Sequence, residues 1–198
     1  GSEMCIRDRT GKKPKAIVPV ALYGMPYDCE KIMEIANRYD IPVIEDAAEG
    51  FGSKFDGKVL GTFGKFGVLS FNGNKMITTS GGGALICQNA EDKNTVMWYA
   101  TQARDAYPYY EHTAIGYNYR MSNICAGIGR GQMTVADTHI AHHKHVQALY
   151  EELLKDVVGV HIHKQPVDSR YDANFWLCTA ILDSDVKIVG QEKAYKLS

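Results

Sequence analysis

Between residues 16 and 46 the chain runs apolar strand, amphipathic helix, apolar strand, and that order dictates two parallel neighbours in one sheet. The first run, AIVPVALY over 16–23, is short, rich in β-branched residues and closed by Gly24. Pro26, Asp28 and Glu30 then supply helix-start chemistry, with acidic groups in the first turn. Ile32, Ile35, Ala36 and Tyr39 share one helical face, which predicts a helix over 27–39. Asp40-Ile41-Pro42 breaks it, and 43–46 reads as a second buried strand. A βαβ unit of this kind requires a sheet covered on both faces.

Further strands are predicted at 68–71 and 83–87, around a glycine-rich, turn-like stretch at 57–67. A helix is predicted at 94–104, followed by a tyrosine-rich loop over 107–119. From Ser122, a good N-cap, to about Asp156 the pattern reads as one long helix with apolar Ile124, Ile128, Met133, Val135, Ile140, Val146, Leu149 and Leu153. A strand is predicted at 175–183. The first residues have neither periodicity nor a signal peptide's apolar core, so 1–14 is set aside as a non-native or disordered leader. The expected organisation is a partial large domain at 15–121, a connecting helix at 122–156 and the start of a small C-terminal domain at 157–198.

Charge and cysteine usage narrow the class. Twenty-two basic against 23 acidic residues give a net charge of −1, with no basic run of the kind nucleic-acid binding needs. No apolar stretch approaches the roughly 20 residues of a membrane-spanning helix. The five cysteines are odd in number and form no CxxC pair, which points away from a disulfide framework or zinc site. A soluble, cytoplasmic protein is expected.

In an open α/β sheet, ligands gather outside the carboxyl ends of the strands. Asp46 ends the 43–46 strand; taken alone, it reads as a turn or helix cap. Ser70-Phe71-Asn72-Gly73-Asn74-Lys75 puts a lysine on a tight polar turn, where a lone lysine is ordinarily solvated surface. Thr78-Thr79-Ser80-Gly81-Gly82-Gly83 is a flexible loop or a place where backbone passes close to a ligand. The combination is more informative than its parts. A lysine able to form a Schiff base, with an aspartate to hold a pyridinium nitrogen, is what pyridoxal 5'-phosphate requires.

Four ordered segments, Ile44–Glu49, Ser70–Lys75, Thr78–Leu85 and Gly116–Ser122, resemble the motifs of the DegT/DnrJ/EryC1/StrS family of pyridoxal-phosphate-dependent nucleotide-sugar aminotransferases. The resemblance implies fold type I, a three-layer α/β/α transferase fold, with a truncated large domain and the beginning of the small one. It implies amino transfer, with glutamate the expected donor, to a nucleotide-linked 4-keto sugar for bacterial glycan synthesis. SFNGNK and TTSGGGAL look most like the subgroup that aminates C4 of UDP-4-keto-6-deoxy-N-acetylglucosamine. Lys75 would carry the cofactor, Asp46 would contact its ring nitrogen, and the Ser70 hydroxyl would bind its phosphate. Asn118 would reach the phosphate in the neighbouring subunit's site, which makes a homodimer the expected unit. Glu49 falls beside the ring where many relatives have glutamine, and Arg120 could pair with a substrate anion or a structural carboxylate. The family's Gly/Thr phosphate cup would precede Lys15, and its chains are about twice as long, so an inactive fragment is an alternative reading. A related sugar dehydratase is another, which Lys75 opposes because those relatives carry histidine there.

Other signals are weaker. His139, His142, His143 and His145 crowd one helix, and His139 with His143 has metal-pair spacing, but no third ligand shares that face. A solvated or subunit-facing helix is preferred, and no metal site is expected. Gly127-Ile128-Gly129-Arg130-Gly131 lies within a helical pattern and follows no strand, so close helix packing explains it better than a dinucleotide site. Tyr107, Tyr109, Tyr110, Tyr117 and Tyr119 read as packing or interface residues, with sugar-nucleotide stacking as the alternative.

Overall fold

The structure, a computed structural model, describes residues 11–186. The leader at 1–10 and the tail from 187 onward lie outside the described residues. The first apolar run lies parallel to β1 (Ile44–Asp46), but as isolated bridges, Ile17 to Val43 and Val20 to Asp46. Ile17 N donates to Pro42 O and Ala21 N to Asp46 O, while Ile44 N and Asp46 N donate back to Ile17 O and Pro19 O. Pro19 has no N–H for the rung between them, so the ladder is interrupted at its centre. The run ends in a single 3-10 turn, Leu22–Gly24.

Helix α1 (Cys29–Tyr39) begins two residues later than predicted, because Asp28 caps it through the Lys31 N–H at 3.1 Å. It stops at Asp40, whose φ of 49° lies in the left-handed region. The hairpin β2 (Lys54–Phe55) and β3 (Lys58–Val59) turns through Asp56 and Gly57, both at positive φ, and its second strand lies inside the 57–67 stretch that the sequence presented only as turn-like. Strand β4 (Phe66–Ser70) pairs in parallel with β1 and antiparallel with β5 (Gly83–Cys87), so the first run, β1, β4 and β5 lie side by side. Helix α2 (Ala90–Ala100) starts four residues before the predicted point, capped by Asn89 on the Asp92 N–H.

The single long helix is a correction. It is two helices, α3 (Asn123–Met133) and α4 (Ala136–Leu153), separated by Thr134 and Val135. The Thr134 hydroxyl donates to Gly131 O at 2.7 Å, and Val135, with φ −116° and ψ 4°, leaves helical geometry. Of the apolar residues along this stretch, Ile124 and Leu153 are 78% and 72% exposed, and Ile128, Met133, Val135 and Leu149 are exposed as well. The predicted strand at 175–183 shrinks to β8 (Ala180–Leu182), antiparallel to β6 (Val160–Ile162). Phe175, at φ 50°, turns the chain before it. Between them β7 (Tyr171–Asp172) returns to pair with β2.

The core gathers Ala21, Cys29, Ala47, Phe55 and Leu60, with Tyr27, Phe63, Leu69 and Tyr171 against it. Phe55 meets Tyr171 and Phe63 edge-on at 5.0 and 6.4 Å. Burial pushes the Cys29 thiol up to about 12, which leaves it a small inert core residue. Beside this core the Glu45 carboxylate is 1% exposed and accepts three backbone N–H bonds, from Gly61 at 2.8 Å, Phe63 at 2.5 Å and Gly64 at 2.7 Å. It is the acceptor that fixes the turn entering β4. Replacing it with glutamine turns a donor toward donors, so Glu45→Gln should lower unfolding free energy by about 2–4 kcal/mol in urea titrations.

Candidate active site

Because β1 and β4 are parallel, their carboxyl ends fall at one edge: Asp46 closes β1 and Ser70 closes β4. Strand β5 runs back, so residues 71–82 arch over that edge and carry Lys75. The Lys75 N–H donates to Asn72 O at 3.1 Å, tightening the turn. Its side chain is 14% exposed, with Nζ 3.6 Å from Glu49 Oε1 and 4.3 Å from the centre of the Trp176 indole. The other Glu49 oxygen accepts from Tyr23 N at 2.6 Å, and Tyr23 sits at φ 58°. The amine therefore lies between a carboxylate and an aromatic face.

Asp46 Oδ1 accepts from Ala48 N at 3.2 Å, and among the described residues no lysine, arginine or histidine forms an ion pair with it. The Ser70 hydroxyl accepts a long, 3.4 Å bond from Asn72 N. Asn118, on the tyrosine loop, is exposed and bridges Thr101 at the C-cap of α2, and among the described residues no hydrogen bond or ion pair joins it to the Lys75 cluster. Arg120 forms no ion pair there either; it lines an open groove of about 670 Å³ with Leu85, Met97 and Tyr119. Tyr107 stacks on Tyr109 and Tyr117 on Tyr119, at 5.4 and 4.8 Å.

The histidine spacing has a different explanation from metal binding. His139 Nδ1 donates to Met76 O at 3.3 Å and His143 Nδ1 to Phe175 O at 3.2 Å. Gln132 accepts from Thr78 N at 3.2 Å, and buried Gln147 donates to His163 O at 3.0 Å. The polar stripe of α3 and α4 thus satisfies backbone groups of the loops it covers. Among the described residues no three His, Cys, Asp or Glu side chains gather to hold a metal. In the 127–131 segment, a Cβ on Gly129 would come within 2.9 Å of the Thr79 methyl, as close helix packing requires.

Sequence reasoning missed Gly24, Ser53, Asn174 and Trp176. Asn174 is fully buried; its Nδ2 donates to Glu49 O and Phe51 O, each at 2.8 Å, and its Oδ1 accepts from Trp176 N at 2.8 Å. Its own N–H donates to Ser53 Oγ at 2.9 Å, which in turn donates to Gly24 O at 2.7 Å. Trp176 Nε1 reaches Asn74 O at 2.8 Å. A polar asparagine immediately before the predicted strand at 175–183 was the available signal.

The residues present fit a pyridoxal group. A shielded primary amine and a carboxylate with no cationic partner among the described residues meet the two needs of a covalently held, protonated pyridine ring.

A parallel strand pair with a lysine-bearing arch over its carboxyl edge, flanked by helices, makes this a mixed α/β chain. The model of the DegT/DnrJ/EryC1/StrS aminotransferase family matches residues 3–193, and the chain belongs to that family. It is 40% identical over 166 residues to "GDP-perosamine synthase" of Escherichia coli O157:H7, covering 84% of this chain and 46% of that protein. It is 37% identical over 170 residues to "GDP-perosamine synthase" of Caulobacter vibrioides, covering 86% and 46%. The crystal structure of a DegT DnrJ EryC1 StrS aminotransferase from Brucella abortus superposes with a TM-score of 0.82 at 27% identity, covering 92% of this chain and 48% of that one. The chain thus spans about half the length of these relatives, and it has the α/β fold expected of part of a fold type I transferase.

Gly24 lies at φ 88°, and a Cβ there would stand 1.8 Å from Asn174 Oδ1. Gly24→Ala should therefore destabilise the protein by about 2–4 kcal/mol, read as a fall in its urea or thermal midpoint.

Proposed function

We propose that this chain supplies the lysine-bearing part of a pyridoxal-phosphate-dependent sugar aminotransferase. The enclosure of the Lys75 amine, 3.6 Å from Glu49 above the edge closed by Asp46 and Ser70, is the observation that carries this reading. When bound, the cofactor supplies an electron sink conjugated to the substrate nitrogen. Lys75 Nζ would hold it covalently, and the same amine would act as the base that takes a proton from the substrate carbon and returns it. Glu49 Oε1, 3.6 Å away, orients Nζ. The Asp46 carboxylate would hold the ring nitrogen, and the Ser70 hydroxyl would bind phosphate oxygen. Trp176 keeps water from one side of the amine.

The substrate is taken to be a nucleotide-linked 4-keto sugar, with UDP-4-keto-6-deoxy-N-acetylglucosamine favoured by the wording of the lysine loop and glutamate as donor. The names of two further relatives support a nucleotide-linked sugar: "dTDP-4-amino-4,6-dideoxy-D-glucose transaminase" of Shigella dysenteriae and "UDP-N-acetyl-3-dehydro-alpha-D-glucosamine 3-aminotranferase" of Acidithiobacillus ferrooxidans. A homodimer, with Asn118 serving the partner's site, accords with the exposed apolar side chains of Ile115, Tyr119 and Ile124. Division into a large domain at 15–121, a connecting helical segment at 122–156 and a small domain from 157 belongs to the same proposal. So does a cytoplasmic location; among the described residues no helix is long and apolar enough to cross a membrane.

Adding pyridoxal 5'-phosphate to the full protein should give an absorbance band near the visible edge, and borohydride reduction should leave the cofactor's mass on the peptide containing Lys75. Lys75→Ala should lose both signals. Retention of the band by Lys75→Ala would remove the assignment.

A further inference from the structure

The segment 173–176 crosses the site as a strap, tied at every residue that can be tied. Ala173 and Asn174 are wholly buried, and Ala173 N donates to Gln165 Oε1 at 3.1 Å. Asn174 binds the turn after β1 through Glu49 O and Phe51 O, and through Ser53 it reaches Gly24. Phe175 holds a positive φ of 50°, unusual for a bulky side chain, and its carbonyl accepts a hydrogen bond from His143 Nδ1. Trp176 then binds Asn74 O, the residue before the lysine, and lays its ring 4.3 Å from Lys75 Nζ. A backbone held away from its preferred region by so many bonds is a reason to look for what it positions.

We infer that Trp176 is a positioning residue for Lys75: its ring face and the Glu49 carboxylate hold the amine from two sides. The inference rests on the reading of Lys75 as the cofactor-bearing lysine only for its functional meaning; the contact itself needs no cofactor. An ammonium over an indole face is stabilised by the ring quadrupole, the more so when shielded from water. The indole N–H bond to Asn74 O sets that ring's tilt from the lysine's own turn, so ring and amine move together. Besides Glu49, the titratable groups described on the elements packed here are Asp46 at the end of β1, Tyr23, whose N–H binds Glu49, and His139 and His143 of α4, whose rings bond the backbone at Met76 and Phe175.

The test is competitive acetylation of the full protein, without cofactor, from pH 6 to 11, with Lys75 acetylation quantified by peptide mass spectrometry. Trp176→Leu should lower the pH midpoint of Lys75 by about half to one unit, a roughly three- to tenfold gain in free amine below the midpoint. Trp176→Phe, which retains a weaker ring face, should lower it by less. Native folding is checked by the urea midpoint. Should the leucine variant fail to fold, the phenylalanine variant carries the test with its smaller fall. An unchanged or raised midpoint in the folded variant overturns the proposal. The absorbance band and its dependence on Lys75 are read separately in the wild-type protein, so a missing band with a shifted midpoint rejects the cofactor reading alone. A normal band with an unshifted midpoint rejects the positioning role alone.

Discussion

The parallel register of β1 on β4, Asp46 opposite Val68, is the constraint from which the site follows. Parallel strands send both chain exits to the same edge, so whatever follows Asp46 and whatever follows Ser70 must share the space above it. An antiparallel pairing would have put these exits at opposite ends. Because β5 then runs antiparallel to β4, the arch between them starts and finishes at that edge too, and Lys75 is held over it. The register also depends on the turn at 61–64 being held in place, which Glu45 does by accepting three of its N–H groups.

Three carboxylates lie within five residues, and their surroundings separate them. Glu45 points into the protein, where three backbone donors replace its hydration, and its role is structural. Asp46, next to it, points the other way, as alternation along a strand requires, and among the described residues its side chain accepts only the Ala48 N–H. Glu49 lies past the strand and divides its oxygens between Tyr23 N and the Lys75 amine. Identical chemistry at three positions is sorted by the direction in which the backbone aims each one.

Much of this was legible in the sequence because it is local. The helix of the βαβ unit, β1, β4 and β5 follow from periodicity, from capping chemistry at Asp28 and from breakers at Asp40 and Pro42. The combination of Asp46 and Lys75 was also visible, and the structure brings Glu49, three residues past Asp46, to the lysine. The strap was not visible. Asn174 and Trp176 meet Glu49 and Asn74 across separations of 125 and 102 residues, and no local pattern encodes such a contact. Likewise, Asn89 recruited Glu91 and Asp92 into the first turn of α2, extending a helix that apolar spacing alone begins later.

Apolar periodicity does not find the inward face of α3 and α4. It assumes that a helix docks on side chains, yet this pair docks on loops, and loops present unpaired backbone groups. The complementary surface is therefore polar: Gln132, His139, His143 and Gln147 follow one another at spacings of seven, four and four along the inward face. Each supplies the donor or acceptor that the loop beneath it lacks. Ala136 is buried and Ile140 and Val146 are half-buried, but Ile124 on α3 and Leu153 on α4 are exposed. A stripe of histidines and glutamines at helical spacing is then what a helix needs in order to clamp the lysine arch and the Trp176 strap at once. The exposed apolar side chains are free for contact with another surface.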